Sequence, residues 1–289
     1  MMSKIVAPHF LYGPAPKKGY SKRAVSPDIY PDEYERLMGC YIPFDPAYLR
    51  ADDVTEREAR AVVSVPAIGG IYFSRIFRRH KLDEKGRTGI LAHTVLIPRA
   101  SLSEGLSYGD IDKALVAFEN ANGIPLGDIP KLEITWEGDK TSSEMSRSRS
   151  LISKDSFNRL ANAYRGDKNA KVILTSKGTP HRERAELGYA ISRFLDLKLK
   201  VVPISFLTEP PLSLVNSNFN LVVTNMPLNV PPRIGWRPID SKGAASGVDG
   251  QGSVGEEGIT QALEEIYGEK QPPLHAEKEG VRLNVGFTR

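Results

Sequence analysis

Asp83, Arg87 and His93 fall close together in the stretch IYFSRIFRRHKLDEKGRTGILAHTVLIPR, residues 71–99. A carboxylate, a guanidinium and an imidazole are the parts of acid–base work. The imidazole changes charge near neutral pH, and the guanidinium can hold an anion through two parallel hydrogen bonds. A second chemistry is open to the same stretch. Arg75, Arg78, Arg79, His80, Lys81, Lys85 and Arg87 are opposed only by Asp83 and Glu84, an excess of positive charge suited to phosphate or an acidic surface. Plainer roles compete with both: a solvated hairpin whose Asp83 closes its own turn on Arg87, and a strand histidine satisfied inside a core, for instance by a backbone carbonyl.

Other chemistries find less support. The five histidines, His9, His80, His93, His181 and His275, form neither H-x-x-x-H nor H-x-H, and Cys40 is alone, so no metal site is expected. GDKTSSE and TSKGTPH carry lysine, glycine and threonine without matching the phosphate-binding loop G-x-x-x-x-G-K-[ST]. Thr179 reads as a helix cap, although the N–H groups after Ser176–Thr179 would also face an anion there. No G-x-S-x-G or Cys–His arrangement supplies a nucleophile, and no cofactor is implied.

The elements that must hold these residues follow from local pattern. Ile71–Phe77 and Ile90–Pro98 are rich in β-branched and aromatic residues and read as two strands around the charged loop. Gly86 and Gly89 bracket Arg87 and are expected to supply φ > 0 there. Before this hairpin, His9–Tyr12 and Arg23–Val25 read as short strands and Asp32–Met38 as a short helix. Thr55 caps one helical turn leading into a strand at Ala61–Val65. After it, Ile111, Ala114, Leu115 and Phe118 give one face of a helix over Tyr108–Asn120, and Leu132–Trp136 reads as a strand. A helix capped by Ser153 or Asp155 runs to Tyr164. A strand follows at Lys171–Thr175, and a helix opened by Thr179-Pro180 buries Ala185, Leu187, Gly188, Ile191, Phe194 and Leu195. Strands at Lys200–Leu207 and Asn220–Thr224 complete an α/β order. Ser241–Gly255 is expected to be flexible. Glu256–Tyr267 then offers Ile259, Leu263, Ile266 and Tyr267 as a docking face.

Composition places these elements in a soluble chain. Of 289 residues, 40% are apolar and 26% charged, and no run of 18 apolar residues exists for a membrane span. The start MMSKIVAPHF lacks a signal-peptide core, so a cytoplasmic location is expected. Charge is uneven. Residues 1–237 hold 34 Lys+Arg against 26 Asp+Glu, a surplus of +8, and residues 238–289 hold 5 against 9. A basic body suits a phosphate-rich or acidic partner.

The hairpin resembles the N-terminal domain of bacterial GTPase-associated proteins through Tyr72, Phe73, Asp83, Gly86, Arg87, Gly89, His93 and Leu96. YGPAPKKGYSKRAVSPDI is similar to the start of that domain. FLDLKLKVVPISFLTEPP is similar to its helix, basic turn and following strand through Ser205, Phe206 and Thr208. The resemblance implies a partner or adaptor of a GTPase and no established activity.

The expected fold is α+β: an antiparallel, hairpin-rich N-terminal half (1–137), a loop (138–150), a mixed α/β half packing with the first (151–237) and a flexible acidic tail (238–289). The expected function is a non-enzymatic adaptor that engages an acidic or GTPase-like protein through Arg75, Arg78, Arg79, Lys81, Lys85 and Arg87. Alternatives are a nucleic-acid- or ribosome-associated factor, and a hydrolase using Asp83, Arg87 and His93.

Overall fold

The computed structural model describes residues 2–15, 19–29, 58–65, 69–79, 89–138, 150–199, 205–208, 219–225, 228 and 235–243. The fold is α+β, as the alternation of strand and helix patterns implies. Ten strands make one sheet: β2 (His9–Ala15), β3 (Gly19–Val25), β4 (Glu58–Val65), β5 (Gly70–Arg79), β6 (Gly89–Pro98), β7 (Gly127–Asp128), β9 (Lys171–Thr175), β10 (Phe206–Leu207), β11 (Leu221–Thr224) and β12 (Trp236–Asp240). Their order across the sheet is β12-β9-β11-β10-β4-β5-β6-β2-β3-β7. From β4 to β3 every pairing is antiparallel, and from β12 to β10 every pairing is parallel. The hairpin-rich and α/β halves of the sequence therefore share a single sheet, joined where β10 pairs antiparallel with β4. A separate ribbon pairs β1 (Met2–Ala7) with β8 (Leu132–Glu137).

Alternation along the strands assigns two faces. Val62, Phe73, Val95, Val172, Val223 and Ile239 face a core shared with the helices α1 (Arg99–Ser103), α2 (Tyr108–Asn122), α3 (Lys154–Gly166) and α4 (His181–Leu199). Ile134 and Trp136 of the ribbon join the same core. Ala61, Val63, Tyr72, Ile76, Ile173 and Val222 form a second buried layer on the opposite face. No helix of the described residues is long and apolar enough to cross a membrane.

Local chemistry explains the helix ends. The Ser107 hydroxyl accepts from the Asp110 N–H (3.1 Å) and donates to the Asp110 carboxylate (2.7 Å), closing the first turn of α2. Ser153 caps α3 by accepting from the Ser156 N–H at 3.2 Å. In α4 the first helical bond runs from the Arg184 N–H to the Pro180 carbonyl at 3.0 Å. Pro180 thus takes the cap position and Thr179 precedes it, one residue off the expected placement. α4 lies close over β10: a Cβ on Gly188 would meet the Phe206 ring at 3.1 Å. Gly188→Val should therefore cost about 1–3 kcal/mol by overpacking, read as a lowered denaturation midpoint; an unchanged midpoint would show that Phe206 yields freely.

Three expectations are corrected. Residues 58–60 belong to β4, not to a helical turn before it. Gly89 is the first residue of β6, paired with Arg79, and is not among the glycines at positive φ. Ser241 does not begin a flexible segment. It is fully buried, its N–H donates to the Thr175 carbonyl (2.8 Å) and its carbonyl accepts from the Ser153 N–H (2.6 Å). Residues 244–289, with Ile259, Leu263, Ile266 and Tyr267, lie outside the described residues, as do the expected 32–38 helix, Cys40, Thr55 and Gly86.

Candidate functional site at one end of the sheet

The parallel strands β9, β10, β11 and β12 finish at one end of the sheet. There β4 begins at Glu58 and β5 ends at Arg79, with Glu58 opposite Phe77. Open α/β sheets commonly bind ligands in crevices outside the carboxyl ends of their parallel strands. Here a cleft of about 590 Å³ opens between one stripe of α2 and the first turns of α4, a volume in the range of small-molecule sites. Glu58 and Arg60 form its floor. Asp112, Lys113 and Val116 line one wall, and His181, Arg182 and Tyr189 the other. The turn leading into α4 is set by Gly178 (φ +72°) and by a bond from the Thr179 N–H to the Ser176 carbonyl.

The floor belongs to a larger ion-pair system under α2. Register places Arg60 opposite Arg75, and Arg75 opposite His93, on three adjacent strands. Two guanidinium groups directly across a strand pair repel, and the side chains of Glu58, Asp112 and Glu119 gather around them. Arg60 donates Nε to Asp112 Oδ1 (2.7 Å) and Nη2 to both Asp112 Oδ2 (3.1 Å) and Glu58 Oε2 (3.0 Å). Arg75 bonds Glu58 and Glu119. Burial opposes the charge on Arg60, but Tyr189, Asp112 and Glu58 outweigh it and hold Arg60 above its ordinary value. Burial likewise pushes Glu58 upward, but Arg60 and Arg75 pull it below its usual carboxylate value. Arg75 moves the other way, lowered by burial and by Arg60 despite Glu58. A guanidinium stays protonated under either shift.

His181 is the distinctive group of the cleft. Burial, Arg60 and Arg184 push its imidazole down to about 3, so it is neutral at pH 7. Its Nε2 is buried and meets no hydrogen-bond partner among the described residues. A neutral ring beside a fixed guanidinium offers one directional hydrogen bond to an entering group.

The structure brings together only some of the residues that the sequence singled out. His93 is fully buried beneath α2, where its partners are Glu119 and His9 and not a backbone carbonyl. The side chain of Arg75 turns inward to its two carboxylates. Arg78 and Arg79 occupy strand positions opposite Ile90 and Gly89. Asp83, Lys81, Lys85 and Arg87 lie outside the described residues. Sequence reasoning missed Glu58, Arg60, Asp112, Glu119, His9 and His181. A signal for one of them was present: Glu119 follows Ile111 and Leu115 at helical spacing, so a carboxylate sits on the apolar stripe and calls for a partner. No protein-family model matches the chain, and no curated protein matches it either.

Proposed function

We propose that this protein is a non-enzymatic interaction module of the cytoplasm that engages an acidic or nucleotide-binding, GTPase-like protein at the end of the sheet where the cleft opens. The observation that carries the reading is that cleft, set between α2 and α4 over the start of β4. Lys113 and Arg182 are exposed on its opposite walls, where they can meet acidic groups of a partner. Arg78 and Arg79, near the end of β5, belong to the same end of the sheet through the register of β4 and β5. The resemblance to GTPase-associated proteins supports the choice of partner. The inward, paired state of Arg75 and the burial of His93 give these two residues structural roles, which leaves the exposed cations of that end of the sheet to meet a partner.

The full chain isolated from its source and weighed by native mass spectrometry should carry a partner polypeptide or a bound nucleotide. Lys113→Glu with Arg182→Glu should weaken that association by about tenfold or more at low salt. Both residues are exposed, so the melting temperature should stay nearly unchanged. A chain that isolates alone, or one whose complex ignores both reversals, would sink the proposal. Turnover of a phosphoester substrate that is lost with His181→Ala would replace it with an enzymatic reading.

A further inference from the structure

Glu119, His93 and His9 form an unbranched chain of contacts that ends on a backbone carbonyl. Glu119 Oε1 lies 3.0 Å from His93 Nδ1, His93 Nε2 lies 2.8 Å from His9 Nδ1, and His9 Nε2 lies 2.7 Å from the Pro130 carbonyl. A carbonyl only accepts, so His9 Nε2 carries a proton. A neutral His9 then has a bare Nδ1, and His93 Nε2 must donate to it. A neutral His93 in turn has a bare Nδ1, which must receive a proton from Glu119. Three contacts need three protons. An ionised Glu119 with two neutral imidazoles supplies two, leaving two acceptors facing each other at hydrogen-bond distance.

Charge balance leads to the same count. Among the described residues, the ion-pair group that reaches this chain through Arg75 consists of Glu58 and Arg60 from β4, Arg75 from β5 and Asp112 from α2. Their two positive and two negative charges cancel. The ring of Phe118 packs beside both imidazoles, 4.6 Å from His9 and 5.4 Å from His93. An ionised Glu119 at the end of two neutral imidazoles would leave one uncompensated negative charge in this group, a costly arrangement that the third proton removes.

We infer that Glu119, His93 and His9 hold one additional proton inside the folded protein at neutral pH, and that this proton fastens α2 to the sheet. Burial lowers His9 despite its bond to Pro130. Burial, His9 and Arg75 push His93 well below the ordinary imidazole value. The proton therefore rests at the carboxyl end, as Glu119 Oε1–H donating to His93 Nδ1, while Oε2 accepts from Arg75. The three groups titrate as a unit.

The sign of the pH dependence follows. In the unfolded chain, histidine titrates near ~6.5 and glutamate near ~4.3, so two free histidines hold one proton between them at about pH 6.5. Above that pH the folded state binds more protons than the unfolded state, and the trio's contribution falls ever more steeply, approaching tenfold in the folding constant per pH unit above about pH 7.5. This continues until the trio releases its proton. Below that pH the unfolded chain binds more, and the contribution falls again. An ionised Glu119 would instead give a contribution that climbs to a plateau above about pH 7.

The test uses the full chain with Glu119→Gln. The amide N–H replaces the carboxyl proton toward His93, and the amide oxygen accepts from Arg75. Chemical denaturation from pH 6.5 to 9.5 should show a wild-type to variant ratio of folding constants that falls about tenfold per pH unit. A variant that is far less stable at every pH, with a ratio independent of pH, overturns the inference. Nitrogen-15 NMR of the wild-type imidazoles gives a second readout that needs no variant. At pH 7.5 both rings should be protonated at Nε2. A His93 ring protonated at Nδ1 alone overturns the inference whatever the variant does.

Discussion

Arg75→Met should lose about 3–5 kcal/mol of stability at pH 7, the cost of breaking a buried ion-pair system by removing one partner. Arg75 is the bridge between Glu58 and Glu119, so its loss leaves the carboxylates in excess beneath α2. Arg60 remains with Asp112 and Glu58 and cannot reach across to replace it. The pH dependence has a definite sign. Arg60 and Arg75 together hold Glu58 below its ordinary value against the effect of burial. The stability this supplies is present above the unfolded carboxylate value near ~4.3 and is lost as pH falls through the lower folded value. The gap between wild type and variant should accordingly narrow below about pH 4. Urea denaturation at pH 7 and pH 3.5 checks both statements. A variant with the wild-type midpoint at pH 7 would return Arg75 to the role of a surface residue available to a partner.

The second large effect is expected at Phe73. Its ring is fully buried at the centre of an aromatic group, 6.1 Å from Tyr108 and 5.8 Å from Tyr189, with Phe206 edge-on to both tyrosines. Phe73→Ala should cost about 3–5 kcal/mol, because the lost transfer energy adds to a cavity that the sheet and α4 cannot close. Tyr189 lines the cleft, so the same variant should also loosen that wall. Phe73→Leu, which fills more of the space, should cost less than half as much in the same denaturation experiment. A small and equal loss in both variants would show that the aromatic group relaxes around the gap.

The legible part of the fold is the part written in short-range pattern. β-branched and aromatic density marked β5 and β6, helical spacing marked α2 and α4, and Ser153 announced the start of α3. Strand order was not legible, because β10 meets β4 across about half of the chain and no local residue encodes that pairing. The site was less legible still. Arg75 reads as one more cation of a basic loop until register places it between His93 and Arg60. Glu58 and Arg60 alternate with Ala59 and Ala61 and resemble an exposed edge until α2 is laid over them with Asp112 and Glu119. Clustered charge in a sequence signals a surface when its counter-charges are near in sequence. The counter-charges of Arg75, Glu58 and Glu119, stand 17 and 44 residues away, and that arginine turns inward.

Among the described strands the sheet ends on β7 at one side and β12 at the other. β7 is two residues long and exposed, too short to template another chain. β12 carries Pro238 at its centre, which has no N–H to offer an incoming strand, with exposed Arg237 and Asp240 around it. Short, charged or proline-bearing edges are how sheets resist adding strands from neighbouring molecules. Ten paired strands would otherwise be a long template for fibrous growth. With both described borders blunted, the sheet is expected to resist polymerising at high concentration, and Pro238→Val is the change that should weaken that protection.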